Sequence, residues 1–151
     1  MLIRFENGET IQTEMSLGVH QLDGLDLHRA TLDHLNLEGF VFCTSHLRGT
    51  SLRFCNLRNA NLEMVKMMTS AFCYSDLKSV SANNSKAMYC SFIHCNLSFS
   101  SFLGSDLRGS NFESANILGV DFRCADLSDA SFKNAKFDST TLWPQGYKPE
   151  V

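Results

Sequence analysis

The chain has 151 residues, 44% of them apolar and 19% charged, with a formal net charge of −3. That length corresponds to one domain. Acids and bases interleave, so nothing calls for a nucleic acid or a membrane surface as partner, and no apolar run approaches the ~18 residues of a bilayer span.

At the start, Leu2-Ile3-Arg4-Phe5, Glu6-Asn7-Gly8-Glu9 and Thr10-Ile11-Gln12 read as a β-hairpin turning at Asn-Gly. Residues 1–19 are therefore expected to cap whatever follows. Met1 to Glu6 lack the basic start, apolar core and cleavage site of a signal peptide, which makes a cytoplasmic location the expectation.

From Leu22 to Leu142 the chain repeats every five residues. The register 22, 27, 32 and onward carries a large apolar residue at 23 of 25 positions, the exceptions being Ala82 and Ala87. Two residues earlier, from Leu25 to Thr140, 21 of 24 positions are Ala, Ser, Thr, Cys or Val; Leu25, Leu35 and Phe40 are the exceptions. No helix or ordinary strand has a period of five. A unit this short cannot bury its own apolar residue and must stack on copies of itself.

Asn or Asp often precedes the large residue, as in Ala60-Asn61-Leu62, Ser75-Asp76-Leu77, Ser105-Asp106-Leu107, Ala115-Asn116-Ile117 and Ala125-Asp126-Leu127. This pattern, over about four fifths of the chain, resembles the pentapeptide-repeat family. The resemblance implies an all-β fold, a right-handed quadrilateral parallel β-helix with four pentapeptides per coil and about six coils over residues 20–142. Residues twenty apart would then stack in columns. Asn36, Asn56, Asp76, Asn96 and Asn116 do share one chemistry, whereas steps of fifteen from Asn36 mix Ser51, Lys66 and Ser81.

Six coils at strand spacing make a rod about 30 Å long. Large inward residues alternate with small ones because the tube is narrow. Glycines at 24, 39, 49, 104, 109 and 119 fall at the corner, where unusual dihedrals cost Gly little. At Ala82 and Ala87 two consecutive large residues are missing, and a pinched or distorted coil is expected there. Residues 143–151 form the second cap and tail, with Trp143 over the last coil and Pro144 ending the ladder. Nothing after Tyr147 reads as the dimerisation helix of the gyrase-protecting family members.

Cys43, Cys55, Cys73, Cys90, Cys95 and Cys124 show no metal-ligand spacing, and no two are twenty residues apart. Cys55, Cys90 and Cys95 read as inward packing residues; Cys43, Cys73 and Cys124 point outward. The histidines do not cluster. Continuous coils leave no pocket, so no enzymatic activity, no metal and no cofactor is expected. The acids before the large residues read as turn-forming.

Function then lies on the outer walls. The middle of the chain stacks Met68 on Met88 and Lys66 on Lys86, with Tyr89, Met64 and Tyr74 nearby. Met64, Lys66, Met68, Tyr74, Lys86, Met88 and Tyr89 form a candidate partner-binding patch. The resulting reading is a non-catalytic binding or scaffold module for an unidentified protein partner, without direct nucleic acid binding or membrane contact, and with a homodimer through the same patch as a further expectation. The alternative is a DNA mimic that binds or protects DNA gyrase. The positive belt of Arg48, Arg53 and Arg58 counts against it, since a mimic of duplex DNA carries strong negative potential.

Overall fold

In the computed structural model, residues 2–5, 10–12 and 21–150 are described. From Gln21 onward the chain winds as a right-handed β-helix. Parallel bridges join the residue before each large one to its counterpart twenty further on, from Gln21↔Val41 to Asn116↔Lys136. Four pentapeptides therefore make one coil, and the tube has four faces. Face 1 is built on the column of Leu22 and Phe42, face 2 on Leu27 and Leu47, face 3 on Leu32 and Leu52, and face 4 on Leu37 and Leu57.

Each pentapeptide folds by the same local rule. The large residue points inward and its N–H reaches the coil above, as Leu27 N–H does to His46 O at 2.8 Å. The residue before it accepts the N–H two positions on. Asp76 does so for Lys78 at 3.1 Å, Asp121 for Arg123 at 3.0 Å and Asn61 for Glu63 at 2.9 Å. These are Asx turns, the structural role expected of the acids. The corner residue, two after the large one, lies in the left-handed region at every position from Gly24 to Asn134, with φ between 55° and 70°. Seventeen of these residues are not glycine. The left-handed corner is thus a property of the coil rather than of Gly. The ladder offsets its cost of roughly 1–2 kcal/mol per residue by giving the corner N–H a partner, as in Phe54 N–H to Cys73 O at 3.1 Å.

Two columns of aromatic rings fill the tube. On face 3, Phe72, Phe92, Phe112 and Phe132 stack at 4.9–5.1 Å. Phe102 and Phe122 of face 1 meet them edge-on. Opposite faces of the tube are therefore in ring-to-ring contact across the interior, and each buried Phe contributes roughly 1.5–3 kcal/mol before ordering costs.

The small inward residues do more than fit. Ser75 Oγ donates to Leu52 O at 2.6 Å and Thr50 Oγ1 to Leu27 O at 2.7 Å. Cys90 Sγ and Cys95 Sγ make the equivalent bond to the carbonyls of Met67 and Phe72 in the coil below, and Ser105 Oγ makes it to that of Ala82. Ser, Thr and Cys serve here because each combines small volume with a donor, satisfying a carbonyl that the ladder leaves available.

Two expectations are corrected. The coil at Ala82 and Ala87 is not distorted: Ala82 N–H bonds Ser101 O at 2.7 Å, Ala87 N–H bonds Asp106 O at 2.8 Å, and the bridges continue through Ser81 and Lys86. Both alanines are fully buried. The backbone ladder, not the inward side chain, sets the coil's path. The second correction lies at the end of the repeat. Asp121 bridges to Leu142, twenty-one residues away, so one extra residue enters after Phe137. Leu142 is 42% exposed and Thr140 is exposed, while Thr141 takes the inward small seat and bonds Ile117 O at 2.9 Å. Trp143 thereby occupies the large seat above Phe122, stacked at 5.4 Å, with Phe132, Phe137 and Tyr147 around it. Asp138 accepts the Thr140 N–H at 2.8 Å and forms the turn that absorbs the extra residue.

At the other end, β1 (Leu2–Phe5) pairs antiparallel with β2 (Thr10–Gln12) and with β3 (Ala30–Thr31), giving the order β2-β1-β3. The first coil's strand edge at β3 is therefore occupied, which removes a site for edge-to-edge association. The expected turn at Asn7-Gly8 lies outside the described residues.

Candidate functional site

The outer walls carry three residues per pentapeptide, so the coil geometry decides which of them meet. Face 2 gathers Lys66 and Lys86 as bridge partners, Met68 and Met88 beside them, and Tyr89 at its edge. Met64 stands at the opposite edge, on the corner shared with face 1. Met64 is 54% exposed and Tyr89 67% exposed, while both methionines are half-buried. Six of the seven candidate residues thus share one wall. Tyr74 does not: it lies a full face away, on the corner between faces 3 and 4.

There Tyr74 belongs to a separate ridge. His34, Phe54, Tyr74 and His94 stack at 4.9, 5.2 and 4.9 Å, with planes 3° to 21° apart. The ring spacing equals the coil spacing, because the corner conformation throws each side chain out along the same direction. Stacking of this kind contributes about 0.5–1.5 kcal/mol per pair and shields the corner backbone. Steps of twenty relate all four residues, so the ridge is written in the sequence as a column.

Face 2 also recruits Arg108 and His46. Arg108 Nη2 lies 3.2 Å from Met88 Sδ, and the same guanidinium holds Asp106 at 2.9 Å and Asp126 at 3.6 Å. The hydrogen bond from Arg108 keeps the Asp106 carboxyl below the usual carboxylate range. His46 Nε2 lies 3.2 Å from Lys66 Nζ, an arrangement in which the imidazole accepts. Neither lysine has a carboxylate within ion-pair distance among the described residues. The column Asp26, His46, Lys66, Lys86, Asp106, Asp126 therefore changes from basic to acidic between Lys86 and Asp106.

Large corner side chains lie down wherever the next coil offers glycine. A Cβ on Gly109 would sit 2.5 Å from the Tyr89 ring, and one on Gly119 2.8 Å from the Phe99 ring. Lys78 Nζ covers Phe99 at 5.8 Å from the ring centre. These glycines give room to a neighbour twenty residues back, a role that position in the repeat alone does not reveal.

Among the described residues, no group of three or more His, Cys, Asp or Glu is arranged to hold a metal, and no helix is long and apolar enough to cross a membrane. An open groove of about 520 Å³ lies at the C-terminal end, between 124–128 and 144–147. All six cysteines are free. Burial pushes the thiols of Cys90 and Cys95 up to about 12 and that of Cys55 to about 11. Arg58 pairs with Asp76 at 2.6 Å and Arg123 with Asp121 at 2.8 Å, so part of the arginine charge is neutralised locally.

The family described as Pentapeptide repeats matches in eight copies, over residues 26–63, 90–129 and 112–143. No curated protein matches the sequence. Among solved structures, the pentapeptide repeat protein Rfr23 from the cyanobacterium Cyanothece 51142 is 18% identical, with 82% of this chain and 91% of that chain covered and a TM-score of 0.35. HetL, a pentapeptide repeat protein involved in heterocyst differentiation regulation from the cyanobacterium Nostoc sp. strain PCC 7120, is 18% identical over 86% and 94% of the two chains, with a TM-score of 0.39. A trypsin-treated form of QnrB1, a plasmid-mediated fluoroquinolone resistance protein, is 16% identical over 79% and 78%, with a TM-score of 0.43. With the repeat model matched over more than half of the sequence and the coils between Gln21 and Lys136 closing after four pentapeptides, this chain belongs to the pentapeptide-repeat family.

Proposed function

We propose that this protein is a non-catalytic binding module whose contact surface is face 2. The observation that carries this reading is the convergence of Met64, Lys66, Met68, Lys86, Met88 and Tyr89 on one wall of a rigid rod. Apolar and aromatic side chains beside two lysines that have no carboxylate within ion-pair distance among the described residues suit a protein surface with acidic and apolar groups. The coils fix the backbone beneath these side chains, so the ordering cost on binding is confined to the side chains themselves. Tyr74 belongs to a second ridge and is a separate, secondary contact.

The test is capture of partners from the native cell extract with wild type and with Met68→Asp/Met88→Asp. Loss of a captured protein in the variant is the expected result; an identical set of partners would remove face 2 as the contact surface. Mimicry of duplex DNA is the competing role. It requires a continuous negative wall, and stacked Lys66 and Lys86 with Arg48 and Arg108 interrupt one on face 2. Protection of gyrase supercoiling from a fluoroquinolone by the purified protein would favour mimicry instead.

A further inference from the structure

The charge order on face 2 has a symmetry that suits one partner in particular. The column reads Lys66, Lys86, Asp106, Asp126 in successive coils, plus-plus-minus-minus about the midpoint between Lys86 and Asp106, with Arg108 beside it holding the two carboxylates at 2.9 and 3.6 Å and so reducing the negative half. A two-fold axis lying in the plane of the face, across the rod at that midpoint, brings each column opposite itself in the reverse direction. Lys86 then faces Asp106 of the second copy, and Lys66 faces Asp126 of the second copy. By symmetry each pair occurs twice. Isologous interfaces are self-complementary in this way.

We infer that face 2 pairs with face 2 of a second copy of this chain, antiparallel, with its axis between the coils of Lys86 and Asp106. This rests on the reading of face 2 as a contact surface and names its occupant. Other registers fail on charge. An axis through the Lys86 coil sets Lys86 against its own copy, an axis between Lys66 and Lys86 sets lysine against lysine, and an axis through the Asp106 coil sets carboxylate against carboxylate. A parallel pairing about an axis along the rod sets Asp106 against Arg108 of the second copy but places Lys66 and Lys86 against the methionines of that column and leaves both lysines without carboxylates.

The area sets the strength. Four coils by one pentapeptide span roughly 20 Å by 15 Å, about 300 Å² per copy, against about 800 Å² per partner in a standard interface. The pairing is therefore weak, and because the pairs sit at an exposed surface it is screened by salt.

Sedimentation equilibrium of the purified full chain tests this, with protein raised to about 1 mM at ionic strengths of about 0.02 M and about 0.3 M, which bracket the Debye length of the exposed pairs. The wild type is expected to move from 16.9 kDa towards twice that mass at low salt and to return to monomer at high salt. Lys66→Asp and Asp126→Lys, each alone, set like charges opposite each other and weaken association about tenfold or more. An equimolar mixture of the two variants restores opposite charges at both contacts, so the mixture associates as well as the wild type. Lysine fits the Asp126 seat because Lys66 and Lys86 already occupy that column, and the far-ultraviolet circular dichroism of each variant checks the fold. A wild-type dimer unaffected by either substitution, or a mixture that stays monomeric, would overturn the register. A wild type that remains monomeric at the highest concentration would overturn the pairing itself. If Met68→Asp/Met88→Asp still loses a captured protein in that case, the contact reading survives and only the identity of the occupant is lost.

Discussion

Ser75 and Ser100 hold equivalent inward seats and are 2% and 1% exposed, yet replacing each by alanine should have different consequences. Ser75 Oγ donates to Leu52 O at 2.6 Å and accepts the Cys55 N–H at 2.8 Å, standing in for the direct turn bond that other pentapeptides make between those two groups. Ser75→Ala strands a buried N–H and removes a donor from a buried carbonyl, which costs about 1–3 kcal/mol. At roughly 2–4 °C per kcal/mol for a chain of this size, Tm falls by about 2–12 °C. Ser100 Oγ is the buried side-chain oxygen without a partner among the described residues. Ser100→Ala removes an unsatisfied group and should leave stability within about 0.5 kcal/mol of wild type or raise it. Ser75→Cys keeps a donor, as Cys55, Cys90 and Cys95 do, and should recover part of the loss. Urea unfolding followed by circular dichroism, with Tm alongside, measures all three. Equal destabilisation by the two alanine variants would show that these hydroxyls act through volume alone, and the account of the inward seat would be wrong.

Trp143→Ala should destabilise the protein by about 3 kcal/mol, the lower end of the range for a large aromatic, and speed amide exchange in the last coil; a change under about 1 kcal/mol would mean that the ring cluster at the end contributes no closure. Ala82→Leu with Ala87→Leu should raise Tm, because both seats keep the backbone geometry that holds Leu62 and Leu107 elsewhere in their columns; unchanged or lower Tm would show that the neighbouring rings already fill the space. The raised thiols give a pH dependence whose sign follows from linkage. Cys90 and Cys95 ionise near 9 when unfolded and near 12 when folded, so their contribution is constant below pH 9 and is lost above it. By pH 10 each lowers stability by about 1.4 kcal/mol relative to pH 7. Cys90→Ala/Cys95→Ala should lack this portion of the alkaline decline, and an identical decline in that variant would rule the thiols out as its source.

Much of the fold could be read from one-dimensional information. The step of five identified the inward residues, and the step of twenty in the Asn36 column identified the coil, because a solenoid brings residues into contact at a constant sequence separation. Six of the patch residues met on one wall for the same reason. Tyr74 falls outside that wall because the ring column at the next corner resembles the patch in composition, and composition does not say which corner a residue turns. The change of sign between Lys86 and Asp106 was present in the sequence, yet it has meaning only along a column viewed from outside.

By itself the sequence determined the architecture, since no arrangement other than stacked coils buries one large and one small residue in every five. Only the tertiary structure decided the end of the repeat, where the turn at Asp138 shifts the register and seats Trp143 in place of Leu142. The hydroxyl bonds to the coil below, the rings lying over Gly109 and Gly119, and the undistorted path at Ala82 and Ala87 also required it. In each case the outcome depends on atoms that meet across coils, at distances and angles a linear pattern does not carry.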